Sequence, residues 1–291
     1  MILSTQTDRV FSILGEDRGL EVFANAGYDA IDFSMFGMTG DSCYLNNCDE
    51  EEYAKKLRAK AEKLGLFFNQ AHAPFPSMKY GNEEYNKIMP ERTIKAIKIA
   101  GLLGARQIIV HPFATPEGEQ AQKKANIDFY KRLEPYALEY GIKIALENMW
   151  GWDPVAKKII PNVCSFGRDL ADYYDALDNP DAFTVCLDLG HCGLVGEETA
   201  DAIMALGHDR LGALHVHDND NLNDTHTLPY SLGGKMKWDN ITKALSDINY
   251  KGEFTFEADN FLSRFPKEEL QTAVNFMAQI GRGLIARCEN R

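Results

Sequence analysis

Metal-binding side chains are concentrated in one short segment, residues 214–226, which reads LHVHDNDNLNDTH. The segment holds three histidines and three aspartates, namely His215, His217, Asp218, Asp220, Asp224 and His226. Imidazole nitrogens and carboxylate oxygens are the side-chain ligands of divalent metal ions. A crowded polar loop would show the same composition, so the interpretation depends on which residues the rest of the chain brings to the same place.

Histidines and carboxylates also stand at the ends of most of the β-rich segments. They are His72, His111, Glu147, Asp188, His215 and Glu257, each within two residues of the end of a different predicted strand. Singly, each has an ordinary explanation, such as a salt bridge, a packing contact or, for Asp188, a turn cap. Together, converging carboxylates would repel one another unless a cation lay between them. We therefore predict a divalent metal site, and a set of two glutamates, one aspartate and one histidine suits Mn²⁺ or Mg²⁺ but also accepts Zn²⁺ or Co²⁺.

The elements that must position these residues alternate between strand and helix. Runs rich in β-branched and aromatic residues predict eight strands, at 2–5, 29–33, 66–71, 106–111, 142–147, 183–188, 211–217 and 253–257. Amphipathic patterns predict eight helices, at 16–26, 49–64, 83–103, 119–140, 167–178, 198–206, 238–248 and 267–287. Glycines suited to ending a helix follow several of these patterns, at Gly27, Gly65, Gly104 and Gly141.

Eight strand–helix units predict an α/β protein with a single (β/α)₈ TIM barrel, one domain spanning residues 1–291. No linker rich in Pro, Gly or Ser divides the chain. The alternative is a doubly wound parallel sheet, but the first strand is not followed by the Gly-rich phosphate-binding turn that such a sheet often carries. A barrel gathers the C-terminal ends of its strands at one rim, where the histidines and carboxylates would meet.

Composition and charge narrow the classes of function. The chain is 45% hydrophobic and 25% charged, as folded globular proteins are. No apolar run reaches the ~18–20 residues of a membrane helix, and the N-terminus does not resemble a signal peptide, so we expect no membrane association. The net charge of −12 disfavours a nucleic-acid partner. Six cysteines without a CxxC pair predict reduced thiols in a cytoplasmic protein, and a homo-oligomer remains open.

The motifs around these residues resemble the xylose isomerase-like TIM barrels, which include sugar isomerases and epimerases and the endonuclease IV branch. The resemblance covers nearly the whole chain and depends on the order of seven motifs: HAPFP at 72–76, VHPF at 110–113, ALEN at 145–148, CLDLGH at 186–191, LGALHVHDND at 211–220, DTH at 224–226 and FTFE at 254–257. It implies a metal-dependent isomerase or epimerase acting on a small sugar or sugar phosphate. It also implies one metal ion, held by Glu147, Asp188, His215 and Glu257, with Glu147 and Glu257 as the catalytic acid/base pair.

The resemblance implies substrate contacts as well. His191 and Asp153 match positions that bind substrate, and His72, His111 and His226 are expected to contact substrate or support the site. Several aromatic residues are expected near the rim, namely Phe36, Phe75, Phe113, Trp150 and Trp152. Two roles are equally open for them: stacking on a sugar ring, or covering the mouth of the barrel.

His215 and His217 lie on the same face of their strand, because side chains alternate along a strand. The resemblance assigns the metal to His215 and leaves His217 to contact substrate. It does not extend to the ketohexose 3-epimerases in every respect, because Asn221 stands where they carry an arginine.

The endonuclease IV branch supplies a competing interpretation, a zinc phosphodiesterase acting on abasic DNA. That branch binds three zinc ions, and every ligand of these ions has a counterpart in this chain. The counterparts are His72, His111, Glu147, Asp188, His191, His215, Asp224, His226 and Glu257. A dehydratase or lyase, or a catalytically silent sugar-binding barrel, is also open, although a silent barrel would lose one of the two glutamates. The net charge and the absence of basic loops favour sugar chemistry, because several phosphate contacts require a positive surface.

Sugar isomerisation and epimerisation both begin with removal of a proton from the carbon beside a carbonyl. One glutamate would take this proton and the other would return it, to the same carbon or to its neighbour. A bound divalent ion would stabilise the negative charge that develops on the oxygens.

Overall fold

A computed structural model describes residues 1–290. It contains ten strands: β1 (Ile2–Thr5), β2 (Ala30–Ser34), β3 (Phe67–His72), β4 (Gln107–Ile109), β5 (Lys143–Glu147), β6 (Trp150–Asp153), β7 (Lys158–Pro161), β8 (Phe183–Asp188), β9 (Leu211–Val216) and β10 (Glu253–Phe256). The helices of these residues are α1 (Asp8–Leu14), α2 (Glu16–Ala26), α3 (Glu50–Lys63), α4 (Glu83–Leu103), α5 (Glu119–Tyr140), α6 (Gly167–Leu177), α7 (Leu189–Leu194), α8 (Thr199–Arg210), α9 (Trp238–Asp247), α10 (Asp259–Leu262) and α11 (Leu270–Glu289).

Eight of the strands form one parallel sheet, in the order β1-β10-β9-β8-β5-β4-β3-β2. The two end strands of this order approach each other, because Gln6 and Asp32 form a parallel bridge and the Asp29 N–H donates to the Leu3 carbonyl at 3.0 Å. The sheet is therefore a nearly closed barrel with helices between successive strands. The predicted TIM barrel is confirmed.

Glycines end the major helices where the sequence predicts. Gly27, Gly104 and Gly141 take up left-handed backbone conformations and their N–H groups bond to carbonyls of the last helical turn. Such a conformation is strained for residues with a Cβ atom, which explains why glycine serves here. Three predicted helices, 16–26, 83–103 and 119–140, have the bounds found in the structure.

The alternation of side chains along the strands builds the barrel interior in layers. Ile109, Ala145, Cys186 and Ala213, on four neighbouring strands, form a fully buried cluster. Residues two positions later point to the same side of the sheet. The next layer toward the C-terminal rim therefore contains His111, Glu147, Asp188 and His215.

Several short elements lie outside the predicted pattern. The antiparallel hairpin of β6 and β7 follows β5, and α7 follows β8 without a loop. Helix α1 precedes α2, and α10 precedes α11. None of the helices described in residues 1–290 has both the length and the apolar character needed to cross a membrane. Cys43, Cys48, Cys164, Cys186 and Cys192 are free thiols in the structure.

Candidate metal centre and substrate cavity

Glu147, Asp188, His215 and Glu257 converge at the C-terminal rim of the barrel, and we call them the four-ligand site. Each offers one ligand atom, and these four atoms lie within 4.8 Å of one another. All four side chains are buried, with Glu257 the most accessible at 8%. Residues up to 110 positions apart in the chain meet because β5, β8, β9 and β10 are consecutive in the sheet.

His215 lies at the centre of this group. Its Nδ1 atom is 3.2 Å from Glu147 Oε1 and 3.2 Å from Glu257 Oε2. Neither this nitrogen nor Glu147 Oε2 has a hydrogen-bond partner among the described residues, although both are buried. Buried polar atoms without partners are costly, and a divalent cation between the four residues would satisfy them. The donor set and its geometry therefore fit a metal ion.

The two glutamates of the site have opposite electrostatic surroundings. Burial opposes ionisation of Glu147, but His215 and His111 hold its pKa well below the usual range. Burial and then the negative charges of Glu147 and Asp188 raise the pKa of Glu257 well above the usual range. Carboxyl groups whose pKa values are driven apart in this way are suited to different acid and base roles.

Asp188 is held by neighbours that serve both the fold and the site. Its Oδ1 caps α7 by accepting from the His191 N–H at 2.9 Å, and Asn148 bonds to both backbone groups of Asp188. Its carboxylate lies 2.9 and 3.1 Å from His217 Nε2. Burial opposes ionisation, but His191 and His217 lower the pKa of Asp188 to about 2. The turn-cap and metal-ligand interpretations of this residue are therefore compatible.

A second group, the histidine cluster, lies beside the four-ligand site and consists of His191, His217, Asp224 and His226. Each imidazole has its Nδ1 atom near a backbone carbonyl: His191 with Asn148 at 2.7 Å, His226 with Glu257 at 2.9 Å and His217 with Asp218 at 3.5 Å. The Nε2 atoms of His191 and His226 lie 3.4 and 3.1 Å from the Asp224 carboxylate.

Asp224 favours the protonated forms of His191 and His226. Burial opposes protonation, but Asp188 and Asp224 raise the pKa of His191 to about 10, and Asp224 raises that of His226 to about 9. The carboxylates of Asp188 and Asp224 therefore stabilise positive charge in this cluster, which protons on the imidazoles or a metal ion would supply.

A third group contains His72, His111 and Glu147. His111 Nε2 is 3.1 Å from Glu147 Oε2, and His72 Nε2 is 3.6 Å from Glu257 Oε1. His72 is fully buried, and its Nδ1 atom lies 2.9 Å from the Asp32 carboxylate. All nine residues that the endonuclease IV resemblance names therefore lie in three adjoining groups.

A cavity of about 390 Å³ opens above these residues. Carboxylates and imidazoles form one part of its lining and aromatic rings the other. The residues are Phe36, Phe75, His111, Glu147, Met149, Trp150, Gly151, Trp152, His191, Asp224, His226 and Glu257. A pocket of this size, with convergent polar groups beside apolar surfaces, suits a small molecule with hydroxyl groups and an apolar face.

The family model for the xylose isomerase-like TIM barrel matches residues 20–280. The chain belongs to this family. A match of this extent includes every residue of the four-ligand site, the histidine cluster and the third group.

Relatives and solved structures agree with this membership. The chain is 29% identical to the uncharacterized protein y4fM of Sinorhizobium fredii, over 55% of this chain and only half of that protein. It is 25% identical to the L-ribulose 3-epimerase of Methylomonas sp., over 85% of this chain and 80% of the relative. The structure of a D-tagatose 3-epimerase-like protein superposes with a TM-score of 0.77 at 20% identity, covering 100% of this chain and 99% of that one. At this identity the structural likeness concerns the fold alone.

Within this xylose isomerase-like barrel, the predicted substrate residues occupy different environments. His111, Trp150, His191 and His226 line the cavity, whereas His72 and His217 are fully buried beneath it. Their roles as substrate contacts stay predictions. Of the aromatic residues, Phe113 lines a separate cavity with Lys79 and Tyr80.

Asp153 lies outside the four-ligand site and the cavity lining. Its Oδ1 accepts from the N–H groups of Val155 and Ala156, at 2.8 and 2.9 Å, in the turn between β6 and β7. Its carboxylate therefore stabilises the hairpin that carries Trp150 and Trp152. A contact between Asp153 and substrate stays a prediction.

Sequence reasoning did not identify three supporting residues. Asp32 anchors His72, Gln6 Nε2 donates to Glu257 Oε1 at 2.9 Å, and Asn148 holds Asp188 and His191. Asn148 directly follows Glu147, so its position offered a signal. Asp32 offered a weaker signal, a charged residue within a largely apolar strand, and Gln6 is a polar residue directly after the first strand.

Proposed function

We propose that this protein is a divalent-metal-dependent isomerase or epimerase acting on a small sugar or sugar phosphate. The observation that carries the proposal is the convergence of Glu147, Asp188, His215 and Glu257 beneath a cavity lined by aromatic rings. Two relatives, an L-ribulose 3-epimerase and a D-psicose 3-epimerase, act on sugars and support this class of substrate. Mn²⁺, Mg²⁺, Zn²⁺ and Co²⁺ all remain candidates for the ion.

Glu147 and Glu257 are the proposed proton-transfer groups. They approach the same space from β5 and from the end of β10, with His215 between them. One glutamate would accept a proton from the carbon beside the substrate carbonyl and the other would return one. The lowered pKa of Glu147 favours its ionised form, and the raised pKa of Glu257 sets the two carboxyl groups apart. A bound divalent ion would supply Lewis-acid stabilisation of the enediolate.

The remaining residues of the cavity are proposed to bind and orient the sugar. Trp150, Trp152 and Phe75 present rings that can stack on the C–H face of a sugar, and His111, His191 and His226 offer nitrogens to its hydroxyl groups. Trp150 is fixed by its Nε1–H, which donates to Asp224 at 3.0 Å.

Glu147→Gln and Glu257→Gln test the proton-transfer roles. Each variant should lower kcat at least ~100-fold, the usual size of a lost general acid or base, while sugar binding is partly kept. The decisive measurement is incorporation of solvent deuterium beside the carbonyl, followed by NMR across a panel of ketoses and ketose phosphates. Glu91→Gln, on the exposed face of α4, is the control and should keep wild-type exchange. Normal exchange in both active-site variants would end the proposal.

The histidine cluster and the third group favour one second candidate, a zinc phosphodiesterase of the endonuclease IV type. That enzyme requires about three zinc ions per chain, whereas sugar chemistry at the four-ligand site requires one. Elemental analysis of the purified protein, combined with cleavage of DNA containing an abasic site, separates the two. Three equivalents of zinc together with strand cleavage would favour the phosphodiesterase.

A further inference from the structure

His215 differs from His72, His191, His217 and His226 in how its ring is held. His72, His191, His217 and His226 each have one ring nitrogen within hydrogen-bond distance of a carboxylate or backbone carbonyl. His215 Nδ1 is 3.2 Å from oxygens of Glu147 and Glu257 but forms a hydrogen bond to neither. Its Nε2 has no hydrogen-bond partner in residues 1–290, and the ring is fully buried. Hydrogen bonds of this kind normally orient a metal-binding imidazole, so something else must orient His215.

The ring of His72 occupies the position that can do this. The His72 and His215 rings are stacked, with centroids 4.5 Å apart and planes inclined by 19°. Phe36 packs against His72 with ring centroids 4.9 Å apart. Since interiors are densely packed, a flat ring fixed beside His215 restricts rotation of the His215 imidazole.

Asp32 fixes the His72 ring. Its two oxygens lie 3.0 and 2.9 Å from His72 Nδ1, and Oδ2 also accepts from Gln70 Nε2 at 2.8 Å. These contacts leave His72 Nε2 without a hydrogen-bond partner among the described residues. Asp32 is fully buried on β2, and no lysine or arginine is among these partners. Burying a carboxylate costs free energy of folding. A hydrogen bond that fixes the His72 ring beside the four-ligand site explains why Asp32 is a carboxylate despite this cost.

We infer that Asp32 is a positioning residue for the four-ligand site: it anchors His72, and the His72 ring holds the His215 imidazole by stacking. The inference rests on the proposed function, because it assumes that His215 binds a metal ion. According to this inference, His72 acts through the packing of its ring against His215, and its Nε2 atom takes no part in metal binding.

Four variants test this chain of contacts, with metal affinity measured by calorimetric titration of the apoprotein with Co²⁺. His72→Ala removes the ring and should weaken Co²⁺ binding ~10–100-fold, the usual range for lost supporting contacts at metal sites. Asp32→Leu frees the ring and should weaken binding to a similar extent. His72→Phe keeps a flat ring that needs no acceptor and should bind Co²⁺ within about threefold of the wild type. Asp32→Leu/His72→Phe should recover the affinity lost in Asp32→Leu alone.

The absorption spectrum of bound Co²⁺ reports the coordination geometry independently of affinity. We expect the wild-type spectrum in His72→Phe and in the double variant, and an altered one in Asp32→Leu. Circular dichroism establishes that each variant is folded, and the double variant keeps the test decisive if Asp32→Leu alone fails to fold.

The outcomes separate this inference from the proposed function. Equal losses in His72→Phe and His72→Ala would show that the nitrogen acts directly and would overturn the stacking role. Unchanged Co²⁺ affinity in Asp32→Leu would likewise overturn the positioning role. A wild-type protein that binds no divalent ion would instead end the metal-dependent function itself.

Discussion

The Glu257 carboxylate accepts a hydrogen bond from a residue that does not itself line the cavity. Gln6, directly after β1, donates to Oε1 at 2.9 Å, while Oε2 faces His215. The two oxygens of the Glu257 carboxylate therefore have different environments: Oε1 is held by Gln6, and Oε2 lies among the proposed metal ligands. This separation matters because a carboxylate that binds a metal through both oxygens is a poor base.

Gln6→Leu should lower kcat about 10–100-fold, because hydrogen bonds to charged groups contribute ~1.5–3 kcal/mol and here one fixes the orientation of Glu257. Steady-state kinetics should show the loss mainly in kcat, with KM little changed. Gln107→Leu is a matched control, since Gln107 is also buried and donates to a glutamate, Glu253, at 3.2 Å away from the four-ligand site. Equal kinetic effects in the two variants would argue against a role for Gln6 in catalysis.

At the scale of elements, the hairpin of β6 and β7 shapes the cavity. Trp152 is 54% exposed although it lines the same cavity as the two glutamates. A large aromatic ring exposed beside a polar site suits stacking on the substrate better than it suits packing in the fold.

Trp152→Ala should therefore raise KM for the sugar severalfold while leaving the unfolding temperature nearly unchanged. Trp152→Phe should restore most of the affinity, because it keeps an aromatic face. Phe276→Ala, an exposed aromatic on the outer helix α11, should have no effect on KM and serves as the control. A wild-type KM in Trp152→Ala would favour the alternative, in which the ring only covers the barrel mouth.

The sequence predicts the long elements and the four-ligand site better than the short elements. Periodicity and glycine caps define α2, α4 and α5 to the residue, and the strand ends bring the four ligands together because a barrel gathers them at one rim. The hairpin was not predicted because WGWD and KIIP are too short and too close to β5 for a separate pattern. Helix α7 has only six residues and is capped by Asp188 itself. Asp32 was not predicted because its partner, His72, is 40 residues away.

At the scale of the whole molecule, Asp29 joins the first strand, the second strand and the last helix. Its Oδ2 accepts from the Leu3 N–H at 2.8 Å, and Arg282 of α11 donates to both of its oxygens, at 2.8 and 2.7 Å. These contacts lie where β1 approaches β2, the seam that the strand ladder does not close. Burial opposes ionisation, but the Arg282 bonds and the Leu3 N–H lower the pKa of Asp29.

Asp29→Asn should lower the unfolding temperature at pH 7 by about 2–4 °C, since the partly exposed ion pair contributes only about 1 kcal/mol. Because the folded-state pKa of Asp29 is lowered, its contribution is present above the unfolded pKa of about 3.9 and is lost as the pH falls through the folded value. The difference between wild type and variant should therefore shrink in calorimetry as the pH is lowered from 7 toward 3. Asp17→Asn, which breaks a pair with Lys60 on the helical surface, should cause little shift at any pH. A difference that stayed constant down to pH 3 would mean that the charge of Asp29 does not stabilise the closure of the barrel.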